Sequence, residues 1–189
     1  MHWNHLETEV GFMLQVRLRG LALDQSNSPV VILEVEKTNK GFGIWIGPFE
    51  AEALALAVSG KDFPRPLTYD LFLNTVSQLG GTFEKAVIGQ VKDNIYYATL
   101  HLQDRNGQLY VIDARPSDCL VLAVKKGFPI FVEDAVFAES SIDLSNLQTD
   151  TLQHGQEEEN EGFKKFVENL DIEELKKHFR GKDENNESS

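Results

Sequence analysis

Two stretches of this chain, 66 residues apart, carry the same pattern. Residues 44–58 read IWIGPFEAEALALAV and residues 110–124 read YVIDARPSDCLVLAV. Each passes from an apolar, strand-like segment through a proline into a run rich in alanine, leucine and valine. Glu52 falls on Asp118, Leu54 on Leu120, and Ala57 and Val58 on Ala123 and Val124. Strand-like runs precede each copy, at 12–18, 30–36 and 42–47 in the first case and at 83–91, 95–103 and 108–113 in the second. Short polar turns separate them. KTNKG at 37–41 offers Asn39 or Gly41 for positive φ, and DRNG at 104–107 is a tight turn. A unit of three strands and a helix has one apolar sheet face and one apolar helix stripe, and two such units cover each other. The expectation is an α+β fold in which a duplicated unit of three antiparallel strands plus a helix shares one core.

The helices are delimited by ordinary punctuation. Pro48 and Pro116 suit first turns, where a missing N–H costs nothing. Gly60 and Gly127 suit the ends. KDFPRP at 61–66 is a loop, since its prolines exclude a helix interior. Thr68 opens a further helix that closes at Gly80 or Gly81. The folded domain is expected over 1–140, with a polar linker at 141–160. At 161–180 an amphipathic helical tail follows, and 181–189 is disordered. Phe163, Phe166, Val167 and Leu170 form a helical stripe that needs a cover. A second molecule would supply one, so a homodimer is expected.

The formal charge is −12, of which residues 1–150 carry −7 and residues 151–189 carry −5. That argues against a broad basic face gripping long nucleic acid, though not against a small phosphate-facing site. No apolar run is long enough to span a membrane, and the N-terminus has no basic-then-apolar signal pattern. A cytoplasmic location is expected. Cys119 is the one cysteine, so no internal disulfide forms, and it reads as a small buried hydrophobe. No two histidines share metal-ligand spacing on one element.

The chemistry concentrates at 113–118. Arg115, preceding Pro116, is held out of the helical region. Asp118 in a first turn is favoured by the helix dipole without any functional role. Asp113 ends an apolar strand at the junction with a helix N-terminus, a setting suited to an anion. Arg115 adds a fork of donors. A plain Arg115–Asp113 pair pinning the junction explains the same residues.

The string IWIGPFEAEALALAVSGKDFPRPLTYDLF, followed by YATLHL and IDARPSDCLVLAV…PIFV, resembles the bifunctional nuclease domain family over roughly residues 12–139. That family is linked to cleavage of both RNA and DNA. Its pattern lands on Glu50, Arg65, Pro66, Asp70, Asp113, Arg115, Ser117 and Asp118. The chain departs at Thr68-Tyr69-Asp70, where members often carry threonine-histidine-aspartate, so a histidine base is absent there. The resemblance implies metal-dependent phosphodiester hydrolysis of RNA or DNA by a carboxylate-plus-arginine site. Glu50, Asp70, Asp113 and Asp118 are the catalytic candidates. Asp70, Asp113 and Asp118 would hold Mg²⁺ or Mn²⁺, and Arg65, Tyr69, Arg115 and Ser117 would hold phosphate. The alternative is a non-catalytic protein on the same scaffold that binds a small anion or serves regulation or assembly.

Overall fold

The computed structural model of the protein describes residues 12–24, 26–60 and 63–145. The chain begins with three strands, β1 (Met13–Leu23), β2 (Pro29–Val35) and β3 (Lys40–Trp45). Two helices follow, α1 (Pro48–Ser59) and α2 (Thr68–Gln78). Three more strands come next, β4 (Thr82–Lys92), β5 (Ile95–Gln103) and β6 (Leu109–Ala114). Helix α3 (Pro116–Lys126), strand β7 (Ile130–Glu133), helix α4 (Asp134–Ser140) and a short β8 (Ile142–Asp143) complete it. All eight strands form one sheet in the order β6-β5-β4-β7-β1-β2-β3-β8. Every neighbouring pair is antiparallel except β4–β7, which is parallel.

The α+β class is as expected, and each of the two meanders leads into a helix. Their alignment is shifted, however. Pro48 and Pro116 both open their helices, so the helix starts match at 68 residues rather than 66. Glu50, and not Glu52, therefore occupies the position equivalent to Asp118. The helices end alike, on Gly60 and Gly127 at φ 60° and 83°, a left-handed conformation that glycine adopts without steric cost.

Strand alternation sends Val31, Leu33, Ile88, Ala98 and Leu100 to one face. There they meet Leu54 and Ala55 of α1, Cys119, Leu120 and Ala123 of α3, and Val136 of α4 in one buried cluster. Burying a leucine such as Leu54 or Leu120 contributes about 1.5–3 kcal/mol. Helix α2 has no fully buried residue. Tyr69, Leu73 and Val76 pack partly against the core, and Phe72 meets Phe83 edge to face at 6.1 Å.

Two local expectations are corrected. The positive φ of the 37–41 turn belongs to Lys37, not to Asn39 or Gly41. Gly41 is required for a different reason, since a Cβ there would collide with the Leu33 carbonyl across the β2–β3 pair. The polar stretch expected as a linker from 141 still belongs to the fold. Gly41 pairs with Ile142 and Lys40 with Asp143, and Leu144 is completely buried against Val30 and Ile32. The amphipathic tail at 161–180 and the terminus at 181–189 lie outside the described residues. Among the described residues no helix is long and apolar enough to cross a membrane.

Candidate functional site

The first turns of α1, α2 and α3 are joined by side chains. Each helix carries an acid near its start, at Glu50, Asp70 and Asp118, where first-turn N–H groups favour negative charge. Arg115 precedes α3 in extended backbone (φ −72°, ψ 144°), which aims its side chain across the helix starts rather than along α3. Its Nε donates to Asp118 Oδ2 at 2.8 Å and its Nη2 to Asp118 Oδ1 at 3.0 Å. Its Nη1 donates to Glu50 Oε1 at 2.6 Å. Tyr69 Oη donates to Asp118 Oδ1 at 2.8 Å. With Arg115 positive and both carboxylates ionised, the cluster carries one net negative charge.

The electrostatics follow from this wiring. Partial burial, the bond to Asp118 and the negative charge of Asp118 all raise the Tyr69 phenol above its ordinary range, so it remains a donor. The bonds to Asp118 and Glu50 make Arg115 harder still to deprotonate. Burial pushes the Cys119 thiol up to about 12, assisted by the charges of Asp118 and Asp113, so it is no nucleophile near neutral pH.

The Glu50 carboxylate lies where a Cβ of residue 47 would stand, so a larger residue there would push this flexible side chain aside. The Gly47 backbone is itself unremarkable, with φ −72°.

Next to Tyr69, Asp70 turns the other way. Its Oδ2 accepts the Leu67 N–H at 2.9 Å, capping α2, and its Oδ1 pairs with Lys125 Nζ at 2.8 Å. Partial burial works to raise the Asp70 carboxyl, but the bonds from Lys125 and Leu67 outweigh it and hold the group below its usual value. Asp70 and Lys125 border an open cavity of about 290 Å³ together with Arg65, Phe63, Leu67 and Asn74. Lys125 was not among the sequence candidates. It stands seven residues after Asp118, two turns along the same helix face, and that spacing is its signal.

The remaining candidates separate. Ser117 is buried in the first turn of α3. Asp113 is exposed and pairs in register with Thr99, whereas its neighbours Ile112 and Ala114 pair with the core residues Leu100 and Ala98. Alternation thus sends Asp113 to the face opposite the helices. The expected Asp70, Asp113 and Asp118 ligand set is therefore not assembled. Asp70 is engaged by Lys125 and Asp118 by Arg115 and Tyr69. Among the described residues no three His, Cys, Asp or Glu side chains gather so as to hold a metal ion, and the arrangement does not fit the expected Mg²⁺ or Mn²⁺ site. Nor is there an Arg115–Asp113 pair, because Arg115 turns to Asp118 and Glu50.

A second ionic cluster escaped the sequence reading. Glu34, buried on β2, accepts Arg17 Nε and Nη2 at 3.0 and 2.8 Å, and Arg19 Nη1 at 3.0 Å.

Comparison with known proteins places the cluster in context. The sequence profile described as the bifunctional nuclease domain matches residues 31–145, a span that includes Glu50, Arg65, Tyr69, Asp70, Arg115 and Asp118. Two uncharacterised proteins of Mycobacterium tuberculosis, from two strains, are each 35% identical over 168 residues, covering 87% of this chain and 99% of their own length.

Proposed function

The chain belongs to the bifunctional nuclease domain family, and from that premise we propose that it hydrolyses phosphodiester bonds of RNA or DNA at the Glu50–Tyr69–Arg115–Asp118 cluster. The carrying observation is the state of Arg115. Three of its five N–H donors are engaged by Asp118 and Glu50. One N–H on each terminal nitrogen is left to bind the non-bridging oxygens of a phosphodiester, on a side chain that is 64% exposed. Asp118 Oδ2 accepts a single bond and has a lone pair for a proton from the attacking water. Tyr69 and Arg115 orient that carboxylate. Glu50 fixes the third side of the guanidinium. The leaving oxygen takes its proton from solvent. Arg65 on the neighbouring cavity, where Lys125 is paired with Asp70, supplies positive charge for the adjoining stretch of substrate.

The acidity of the whole chain directs this activity to short or single-stranded substrates rather than long duplexes. No step above runs through a metal ion, and a requirement for Mg²⁺ or Mn²⁺ is a separate proposal with its own arm in the assay. A second reading, capture of a small anionic ligand without cleavage, draws on the cavity lined by Arg65 and Lys125.

The test uses metal-stripped full-length protein from a nuclease-deficient host. It is offered labelled single- and double-stranded RNA and DNA, with chelator, with Mg²⁺ and with Mn²⁺. Asp118→Asn is expected to lower turnover by about 10²–10⁴-fold, and Arg115→Ala to weaken substrate binding and slow turnover, both with native circular dichroism. Full activity in both variants would place the chemistry elsewhere. No cleavage by the wild type, with saturable binding of a short oligonucleotide or nucleotide, would establish the second reading instead.

A further inference from the structure

Strand β6 ends the sheet on one side, and its outer edge has no neighbour among the described residues. At the opposite end β8 covers part of β3. The parity of the β5–β6 ladder shows which groups face outward. Asp104 N–H donates to the Gln108 carbonyl at 2.9 Å. Hydrogen-bonded pairs then alternate along the register, falling at Leu102–Tyr110, Leu100–Ile112 and Ala98–Ala114. Leu109, Val111 and Asp113 therefore aim their N–H and C=O groups away from the sheet.

This edge lacks most of the usual defences against another strand, Asp113 being its one charged residue. It contains no proline, lysine or bulge, and its register with β5 runs unbroken. Both of its faces are apolar and open: Leu109, Tyr110, Val111 and Ile112 are 59, 49, 61 and 42% exposed. Exposed Leu79 lies near the β5–β6 turn, where its carbonyl accepts Arg105 Nη2 at 2.8 Å. A strand added at this edge would reach apolar side chains on both faces of the sheet.

We propose that β6 docks against β6 of a second copy of this chain, antiparallel, with the two-fold axis at Val111. The occupant follows from the sequence of the strand. Pairing the outward-facing residues with the greatest overlap sets Val111 opposite Val111 of the partner subunit. Leu109 then lies opposite Asp113 of the partner subunit, and Asp113 opposite Leu109 of the partner subunit. On the helix side, Tyr110 meets Ile112 of the partner subunit twice over by symmetry, an aromatic with β-branched combination that stabilises cross-strand pairs. On the other side the two Val111 side chains meet at the centre, and Asp113 stays at the wet rim. The outward N–H and C=O groups of three residues on each copy gain partners, and the two sheets become continuous. The contact is small for a specific dimer, so the association is expected to be weak and concentration-dependent. This inference is independent of whether the chain cleaves nucleic acid.

Sedimentation of the full chain from about 1 to 100 µM tests it. The wild type is expected to form a dimer across that range. Val111→Lys, which adds an edge charge at an exposed position, is expected to weaken association at least 100-fold with an unchanged circular dichroism spectrum. A second variant tests the register. Val111→Cys places two thiols at a Cα separation of about 5.5 Å, within disulfide reach. Mild oxidation should then give covalent dimer, with buried Cys119 silent. Leu109→Cys should not cross-link, because its two copies lie four residues out of register. A wild type that is monomeric throughout, or a dimer that Val111→Lys leaves intact, would overturn the proposal. Cross-linking at residue 109 as efficient as at residue 111 would overturn the two-fold at Val111.

Discussion

Tyr69→Phe isolates the attachment of α2 to the cluster. The ring stays, so no cavity opens, and only the bond from Oη to Asp118 Oδ1 is lost. Asp118 is not orphaned, because Arg115 still donates to both of its oxygens. The cost is therefore the net value of one half-buried, charge-assisted bond, about 1–1.5 kcal/mol, near the lower end of the range for such bonds. For a domain of this size that lowers the melting temperature by roughly 3–8 °C. In a double-mutant cycle with Asp118→Asn, the coupling should be on the order of 1 kcal/mol. The pH dependence gives an independent check. Folding raises the Tyr69 pKa, through burial first and then Asp118, so in the unfolded chain the phenol ionises first, near pH 10. The stabilisation by Tyr69 is whole below that pH and is lost as pH rises through the higher folded value. The gap between wild type and Tyr69→Phe should thus be constant from pH 6 to 9 and close above about pH 10. Equal stability of the two proteins at pH 7, or a gap that widens in alkali, would refute this account of α2.

Gly47→Ala should act through Glu50 alone, since the backbone at 47 suits alanine but the new methyl displaces the carboxylate from Arg115. It should cost about 0.5–1 kcal/mol in thermal denaturation, as befits an exposed pair, and be non-additive with Glu50→Ala. Glu34→Gln keeps the shape of a buried side chain but removes the negative charge that accepts bonds from Arg17 and Arg19. It should lower the urea midpoint by an amount equivalent to about 1–3 kcal/mol, with an unchanged slope.

The order of the main elements was legible because each signal was local. Gly60, Gly127, Pro48 and Pro116 fix helix ends through their own backbone preferences. Asp93 and Asn94, both at positive φ, make the tight turn that KDN announced. What stayed hidden depends on neighbours distant in sequence. Nothing within 128–145 discloses that β7 slips between β4 and β1, because the parallel β4–β7 pairing is set by the sheet as a whole. Residues 141–145 read as linker because Leu144 is one apolar residue among polar ones, yet it closes over Val30 and Ile32, more than a hundred positions away.

The site shows the same limit more sharply. Asp113, Arg115 and Asp118 are close in sequence, and closeness suggested one shared site. But a strand with a two-residue period ends there and a helix with a 3.6-residue period begins, and the change of period sends the three side chains different ways. Asp113 leaves by the helix-free face, while Arg115 and Asp118 turn to the helix starts. Conversely, Glu50 and Tyr69 lie 65 and 46 positions before Arg115 and share no pattern with it, yet the fold sets them around one guanidinium and its carboxylate partner. Sequence could nominate these residues only through a family resemblance. Their grouping comes from three helix starts at one edge of the helical layer, where a loss of Arg115 would at once release Glu50, free Asp118 and loosen α2 through Tyr69. The cluster that presents spare donors to a phosphate is thus also the fastening of the least buried helix. Variants within it must be assayed for turnover at temperatures well below their own melting transitions if chemistry is to be told apart from loss of that fastening.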